Sequence, residues 1–156
     1  MDKVEHIDIR LHQDDRGWVA WPVAEIDLEH LRLSRFHVPC LKPGAVRGNH
    51  YHQNSIEFAF ILSGPCRALF EDNETGEQQE IMVEGIAPVL FKIAPSVTHA
   101  FKNESLHDIF LLCYEQRADS KHAEDICRKT ILWTPQPPFP FFLTAWQSSA
   151  YYLFNK

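Results

Sequence analysis

Long apolar stretches are missing from this sequence. No run approaches the ~18 consecutive apolar residues that a membrane-spanning helix requires, so no membrane partner is expected. The first residues, MDKVEHIDIR, are charged and contain no apolar core of a signal peptide. An excess of basic residues is missing as well: the formal net charge is −6. This argues against a nucleic-acid partner, because phosphate binding needs a basic surface.

Closely paired cysteines are also lacking. The four cysteines are widely spaced and form no CxxC pair, which excludes zinc-ribbon and thioredoxin-type sites. Each is flanked by apolar or strand-forming residues, a pattern typical of buried thiols in a reducing compartment. Together with the charged N-terminus, this predicts a cytoplasmic protein. The cysteines are Cys40, Cys66, Cys113 and Cys127.

Long amphipathic helices are scarce, and short strands separated by turns dominate instead. The spacing of about 8–12 residues between strands is typical of an antiparallel sandwich or barrel. The predicted strands are Gly17–Trp21, Leu31–Val38, Val46–His52, Ile56–Leu62, Cys66–Glu71, Gln78–Val83, Val89–Ile93, Thr98–Lys102, Asp108–Glu115 and Arg128–Trp133.

The 156 residues fit one domain. We expect a single barrel domain over residues 1–134, followed by a tail over residues 135–156. The tail is rich in proline and aromatic residues. Proline forbids a central strand, and so many aromatic side chains are costly to leave in water. The tail is therefore predicted to be extended and to pack on the barrel or on a partner subunit, or to cover the mouth of a pocket.

One segment carries most of the chemical information. Residues at i and i+2 of a strand face the same side, so His50 and His52 point together. On the next strand, Glu57 shares a face with Ala59 and Ile61. If that face is the barrel interior, the carboxylate approaches the two imidazoles. The opposite face, with Phe58, Phe60 and Leu62, is too apolar for water and is expected to meet another layer or subunit.

Two imidazoles and a carboxylate in an apolar barrel are costly unless something satisfies them. A divalent metal ion would do so, with His99 on a later strand as a fourth ligand. Three histidines and one glutamate suit Zn, Fe, Ni or Mn without selecting among them. The alternative is that the four side chains are packed and hydrogen-bonded to one another without a metal.

These residues resemble the first signature of the cupin superfamily: Gly, five residues, His-x-His, four residues, Glu, six residues, Gly. Gly44, His50, His52, Glu57 and Gly64 match every spacing. The second signature is matched more loosely by Ala94-x-Ser96-x-x-His99-x-x-x-Asn103, which has Ala and Ser where the family has Pro and Gly. The resemblance covers residues 44–103 and implies an all-β cupin double-stranded β-helix, or jelly-roll barrel.

A narrower resemblance concerns the run Arg47-Gly48-Asn49-His50-Tyr51-His52. It is similar to sugar-nucleotide cupins: the dTDP-4-keto-6-deoxysugar 3,5-epimerases, the 3,4-ketoisomerases and the C-terminal cupin of capsular-polysaccharide reductases. Asp15-Arg16-Gly17 resembles a turn of the epimerases. The resemblance implies that His50 acts as a base and that Arg47 and Arg16 hold a nucleotide diphosphate. Arg47 shares a face with the histidines only if Gly48 marks a bulge.

His52 departs from the 3,5-epimerases, which have Gln there and work without metal; it is closer to the metal-binding cupins and the ketoisomerases. The chemistry suits a neutral imidazole that accepts a proton next to a ketone, with a metal or cations stabilising the oxyanion. The family's acid, usually a Tyr, has no clear counterpart, and Tyr114 is better explained by core packing.

The main hypothesis is therefore a metal-binding, homodimeric isomerase or epimerase acting on a nucleotide-linked 4-keto-deoxysugar. Two alternatives stay open. One is a metal-dependent dioxygenase, which predicts an apolar pocket without a basic mouth. The other is a non-catalytic module that binds a sugar or another small molecule without turnover.

Overall fold

The computed structural model describes residues 1–22, 33–85, 87–117 and 125–133. None of these residues is helical, so this part of the chain holds no helix long and apolar enough to cross a membrane. The strands are β1 (Val4–Ile7), β2 (Arg10–Asp14), β3 (Gly17–Trp21), β4 (Leu33–His37), β5 (Cys40–Leu41), β6 (Val46–His52), β7 (Ser55–Ile61), β8 (Cys66–Asp72), β9 (Gln78–Val83), β10 (Val89–Ile93), β11 (Val97–Asn103), β12 (Ile109–Arg117) and β13 (Ile126–Arg128).

Two antiparallel sheets face each other across one core. The first has the order β1-β10-β7-β12-β4, with β5 also paired to β12, and the second has the order β13-β6-β11-β8-β9. Strands β2 and β3 form a separate hairpin. The rings of Phe70 in the second sheet and Phe91 in the first lie 5.3 Å apart, centroid to centroid, in an edge-to-face contact. The predicted all-β jelly roll is confirmed.

Strand β7 separates the interior from an outer apolar layer by simple alternation. Ala59 and Ile61 belong to the core between the sheets, and Glu57 is in phase with them. Phe58 and Phe60 face the other way and are only 2% and 3% exposed within a single chain. They pack with other outward-facing side chains: Leu90, Tyr114, Ile7, Ile9 and Ala20. The expected second layer is thus supplied by the chain itself, and the homodimer stays a prediction.

The cysteines behave as the spacing indicates. All four are free thiols, and Cys66 and Cys113 are buried. Burial raises the pKa of Cys66 to about 12, so this thiol stays protonated and inert at neutral pH.

Most predicted strands differ from the observed ones by no more than two residues within the described part of the chain. The last one is wrong: the prediction of Arg128–Trp133 is replaced by β13 at Ile126–Arg128. The reason is the side chain of Asn49, whose amide oxygen accepts hydrogen bonds from the backbone N–H of Ile131 and of Leu132. These two N–H groups therefore bond to a side chain instead of to the backbone of a neighbouring strand. The predicted tail at residues 135–156 lies outside the described residues.

A β-bulge interrupts β6 where it pairs with β11. His50 lies opposite His99, but Gly48 lies opposite Ala100, so Asn49 is the extra residue. Asn49 has a φ of 55° and Gly48 a φ of 91°. Gly48 also needs to lack a side chain, because a Cβ there would lie 2.6 Å from the carbonyl oxygen of His99. The sequence placed Arg47 on the same face as the histidines only if Gly48 marked a bulge, and this bulge is present.

We expect Gly48→Ala to destabilise the protein by about 2–4 kcal/mol, through backbone strain and the clash with β11. Gly76→Ala is the matched control, since Gly76 has a φ of 74° but no atom within 4 Å of the added Cβ. The control should cost about 1–2 kcal/mol, from strain alone. Urea denaturation measures both, and equal losses would contradict the close approach at Gly48.

Candidate functional site

Four polar side chains converge on the inner face of the two sheets. The Oε2 atom of Glu57, on β7, lies 2.8 Å from Nε2 of His52 and 2.9 Å from Nε2 of His99. The Nε2 of His50 is farther away, at 3.7 Å. The His50 and His99 rings are 4.6 Å apart, centroid to centroid, because the two residues are opposite each other on β6 and β11. The structure brings together all four residues predicted as ligands.

The four side chains differ in their access to solvent. The side chains of His52, Glu57 and His99 are 5% exposed or less, whereas that of His50 is 18% exposed. Burial by itself raises the pKa of Glu57, but the charge of His99 and the approach of the His50 and His52 imidazoles hold that pKa well below its usual range. Of the three, His52 makes a hydrogen bond to Glu57, from Nε2 at 2.8 Å. Glu57 is therefore an anion at neutral pH, and His50 is the most exposed histidine of the cluster.

The short contact between His99 Nε2 and Glu57 Oε2 is not a hydrogen bond when the His99 ring is neutral. The Nδ1 of His99 lies 3.2 Å from the carbonyl oxygen of Val97, which can only accept, so Nδ1 carries the hydrogen. In a neutral ring, Nε2 then presents a lone pair to the carboxylate oxygen 2.9 Å away. This buried nitrogen makes no hydrogen bond among the described residues. Two facing lone pairs at this distance need a positive charge between them or on the ring.

The donor set fits a divalent metal ion. One ligand atom from each of His50, His52, Glu57 and His99 can be chosen so that all lie within 4.8 Å of one another. Imidazole nitrogens and a carboxylate oxygen are suitable ligands for Zn, Fe, Ni or Mn. An ion at the centre would also resolve the lone-pair conflict at His99.

Arg47 lies on the same face of the second sheet as the cluster. The bulge places it opposite Phe101, which belongs to the core and shares a face with His99. Unlike that phenylalanine, Arg47 is exposed. Burial and the neighbouring carboxylate of Asp108 raise the pKa of the Cys40 thiol, while Lys42 and Arg47 act in the opposite direction. The exposed Arg47 thus lies at an edge of the inner face that carries charges of both signs.

Arg16 is placed differently. It lies in the turn between β2 and β3, is 84% exposed, and makes its ion pair with Asp14. Its Nε donates to Asp14 Oδ2 at 3.1 Å, and its backbone N–H donates to Oδ1. The described residues show no contact between Arg16 and the histidine cluster, so its role in substrate binding stays a prediction.

Tyr114 is a packing residue, as the sequence indicates. It faces the outer layer, where its ring stacks on Phe58 at 4.8 Å and its hydroxyl donates to the carbonyl oxygen of Pro22 at 3.2 Å. Burial raises its pKa to about 12. Tyr51 alternates with His50 and His52 on β6, and therefore also points away from the cluster. No tyrosine in the described part of the chain is placed to act as an acid at these histidines.

Two buried carboxylates near His52 were missed by sequence reasoning. Glu115 and Asp125 are each 2% exposed, and with His52 they form a second group with metal-ligating potential. Glu115 could have been found, because it alternates with Leu111 and Cys113 on β12 and must share their inward face. Asp125 carries no such signal, since it precedes β13 in a segment without periodicity.

Comparison with solved structures confirms the cupin fold. NovW, a 4-keto-6-deoxy sugar epimerase from Streptomyces spheroides, is 18% identical with a TM-score of 0.60; the match covers 72% of this chain and 62% of NovW. The 3,4-ketoisomerase QdtA from Thermoanaerobacterium thermosaccharolyticum, in a variant bound to TDP-4-keto-6-deoxyglucose, is 17% identical with a TM-score of 0.63; the coverages are 83% and 89%.

A third similar structure belongs to a much longer chain. The capsular polysaccharide assembling protein CapF from Staphylococcus aureus is 20% identical with a TM-score of 0.55, over 80% of this chain but only 35% of CapF. The present chain therefore spans about a third of CapF, and less than two thirds of NovW.

Sequence comparisons add the family. A search of curated proteins finds no match. The family model described as the polysaccharide biosynthesis C-terminal domain matches residues 12–126, which is more than half of the chain. This range includes β6, β7 and β11, and with them all four residues of the cluster. The chain, with its RmlC-like cupin fold, belongs to the family of polysaccharide biosynthesis C-terminal domains.

Proposed function

We propose that this protein is a metal-binding cupin that epimerises or isomerises a nucleotide-linked 4-keto-deoxysugar, with His50 as the base. The observation that carries the proposal is the convergence of three imidazoles on Glu57, on a sheet face that also carries the exposed Arg47. The substrate class is supported by two of the similar structures, a 4-keto-6-deoxy sugar epimerase and a 3,4-ketoisomerase bound to a TDP-keto sugar.

The reaction requires a base and a stabilised oxyanion. The base removes the proton from the carbon next to the ketone, and the C–H electron pair moves to form an enediolate whose charge lies on the former carbonyl oxygen. Return of a proton to the opposite face of that carbon gives the epimer. Return to the neighbouring carbon, with transfer of the hydroxyl proton, gives the isomeric ketone. Neither route consumes an oxidant or a reductant.

His50 is the best placed of the three histidines to contact a substrate. It is the most exposed, and its Nε2 is the farthest from Glu57, at 3.7 Å. One nitrogen cannot hold a metal ion and accept a proton at the same time. His52 and His99 lie closer to Glu57 than His50 does. We therefore expect His52, His99 and Glu57 to hold the metal ion more firmly than His50 does. This leaves His50 as the ligand that can be released to act as base.

The other groups would position the substrate. A divalent ion, when bound, supplies a Lewis acid that stabilises the enediolate oxygen. Arg47, exposed on the same face, would bind the diphosphate through charge-assisted hydrogen bonds. An exposed arginine on this face is not expected for the dioxygenase alternative, which predicts an apolar pocket without a basic mouth.

We expect the purified protein to contain about one equivalent of Fe, Ni, Mn or Zn, measured by elemental mass spectrometry without added metal. His52→Ala and Glu57→Gln should lose most of it, whereas His50→Ala should keep a larger share. His37→Ala is the control, because His37 is exposed and its Nδ1 contacts the backbone oxygen of Arg35. Unchanged metal content in His52→Ala would refute its role as a ligand. A well-folded, metal-free protein would instead support His50 as a free base.

Deuterium exchange tests the chemistry directly. Incubated in D₂O with a dTDP-4-keto-6-deoxysugar, the protein should introduce deuterium at the carbon next to the ketone, followed by NMR. His50→Asn should slow this exchange by about 10²–10⁴-fold, the usual contribution of a general base. Tight binding of the sugar without any exchange would favour the non-catalytic binding module.

Arg47→Ala should weaken binding of dTDP or of the nucleotide sugar by about 10–100-fold, the value of a charge-assisted hydrogen bond of about 1.5–3 kcal/mol. The loss should shrink at high salt, because the contact is partly exposed. Arg67→Ala is the matched control, since Arg67 pairs with Glu104 and Glu80 on the outer face of β8. Arg16→Ala, measured alongside by calorimetry, decides whether that arginine contributes. Equal affinity in Arg47→Ala and the unmodified protein would exclude Arg47 from the binding site.

A further inference from the structure

The short edge strand β13 brings an arginine next to His50. In the ladder between β13 and β6, Arg128 lies directly opposite His50, and His50 in turn lies opposite His99 on β11. Residues that are opposite each other in an antiparallel pair have their side chains on the same side of the sheet. Arg128 therefore shares the inner face with these two histidines and is one strand away from the proposed base.

The residue before Arg128 supports this orientation. Cys127 lies opposite Tyr51, and the interaction with the Cys127 thiol raises the pKa of the Tyr51 hydroxyl. The two side chains are therefore neighbours on the face that points away from the cluster. Because side chains alternate along a strand, Arg128 points toward the site.

The segment that follows Arg128 is held by the bulge residue Asn49. The backbone N–H of Lys129 donates to the carbonyl oxygen of Asn49 at 3.0 Å. The side-chain oxygen of Asn49 accepts from the N–H groups of Ile131 and Leu132, and its Nδ2 donates to the carbonyl oxygen of Leu132 at 2.8 Å. The backbone that carries Arg128 is thus tied to the residue that directly precedes His50.

Arg128 lacks the partners that most arginines of this protein have. Acidic residues outnumber basic ones by 21 to 15, yet Arg128 is exposed and makes no hydrogen bond or ion pair within the described ranges, and the same holds for Arg47. Every other described arginine interacts with another residue: Arg10, Arg16, Arg35, Arg67 and Arg117. The two arginines without such a partner thus lie on the same face of neighbouring strands.

Arg47 and Arg128, the arginine pair, are close enough to hold one ligand. Arg47 lies opposite Phe101, which is two residues from His99 along β11. Two residues of a strand span about 7 Å and neighbouring strands are about 5 Å apart, so the Cα atoms of the pair are separated by about 9 Å. Two guanidinium groups at this spacing suit two linked anionic groups, because each guanidinium matches phosphate oxygens in a bidentate manner.

We propose that Arg128 is a second substrate-binding residue, which holds one phosphoryl group of the nucleotide diphosphate while Arg47 holds the other. This deepens the proposed function and rests on it for the substrate class. The arginine pair selects a diphosphate over a monophosphate, because a single phosphate engages only one of the two guanidinium groups. It also places the sugar that follows the diphosphate beside His50.

Equilibrium binding to the purified protein, measured by calorimetry, tests the assignment without turnover. Arg128→Ala should bind dTDP and UDP about 10–100-fold more weakly, the value of a charge-assisted hydrogen bond. Both nucleotides should lose equally, because the contact is to the diphosphate and not to the base. The loss should be smaller for dTMP, whose single phosphate can stay on Arg47. Arg67→Ala is the matched control, since it removes a guanidinium from the outer face and should leave all three affinities unchanged.

Two further measurements separate this role from other roles near His50. Arg128→Lys should give an intermediate affinity for dTDP, because lysine keeps the charge but not the bidentate geometry. In the deuterium-exchange assay, Arg128→Ala should raise the KM for the nucleotide sugar and leave the exchange rate at saturation within about threefold of the unmodified protein. This split is expected when a contact is equally strong in the ground state and the transition state.

An unchanged affinity for dTDP in Arg128→Ala would overturn the proposal, as would an equal loss for dTMP or the same loss in Arg67→Ala. Absence of binding of both dTDP and UDP to the folded, unmodified protein would also overturn it. Failure of the proposed reaction is recognised separately. Nucleotide binding that depends on Arg128, without deuterium exchange into the keto sugar, would support the arginine pair and contradict the epimerase or isomerase activity.

Discussion

The burial of one carboxylate constrains the whole interior of this protein. Glu57 is 4% exposed and is followed on the inward face of its strand by the apolar Ala59 and Ile61. An isolated carboxylate would be too costly in such a place, so the surrounding strands must bring compensating groups to it. The three imidazoles of His50, His52 and His99 do this, and their distances to a single oxygen define the centre of the site.

The same constraint extends outward from the cluster. Each imidazole that turns one nitrogen toward Glu57 leaves its other nitrogen to be satisfied elsewhere. For His99 this is the carbonyl of Val97, and for His52 it is a region that holds Glu115 and Asp125. The arrangement therefore consists of alternating acidic and imidazole groups, and its chemistry depends on where the hydrogens lie as much as on where the heavy atoms lie.

The sequence contained enough information for the fold and for the four clustered residues. Alternation with a period of two assigns Glu57 to the interior and Phe58 to the outer layer, and the spacing of His50, His52 and Glu57 matches a known signature. His99 was predicted although Ser96 replaces the usual glycine; Ser96 has a φ of 61°, so the turn keeps the conformation that glycine would adopt. Where a strand is regular, the local sequence pattern is enough to predict which face each side chain occupies.

What the sequence could not give depends on irregular or long-range structure. The bulge at Asn49 breaks the alternation, so the face of Arg47 could only be stated as a condition. The strand near residue 128 was misplaced because a side chain, that of Asn49, replaces the ladder there. Asp125 meets the turn at Ser55 only through the pairing of β13 with β6, between segments far apart in the chain.

The order of the strands along the chain has a consequence for when the cluster around Glu57 can form. His50, His52 and Glu57 are on β6 and β7, but His99 is on β11 and Asp125 follows after β12. A chain synthesised only through β7 therefore carries an incomplete cluster. All four side chains come together only once β11 lies between β6 and β8. Any ligand that needs all four would thus be bound by the folded protein and not during translation.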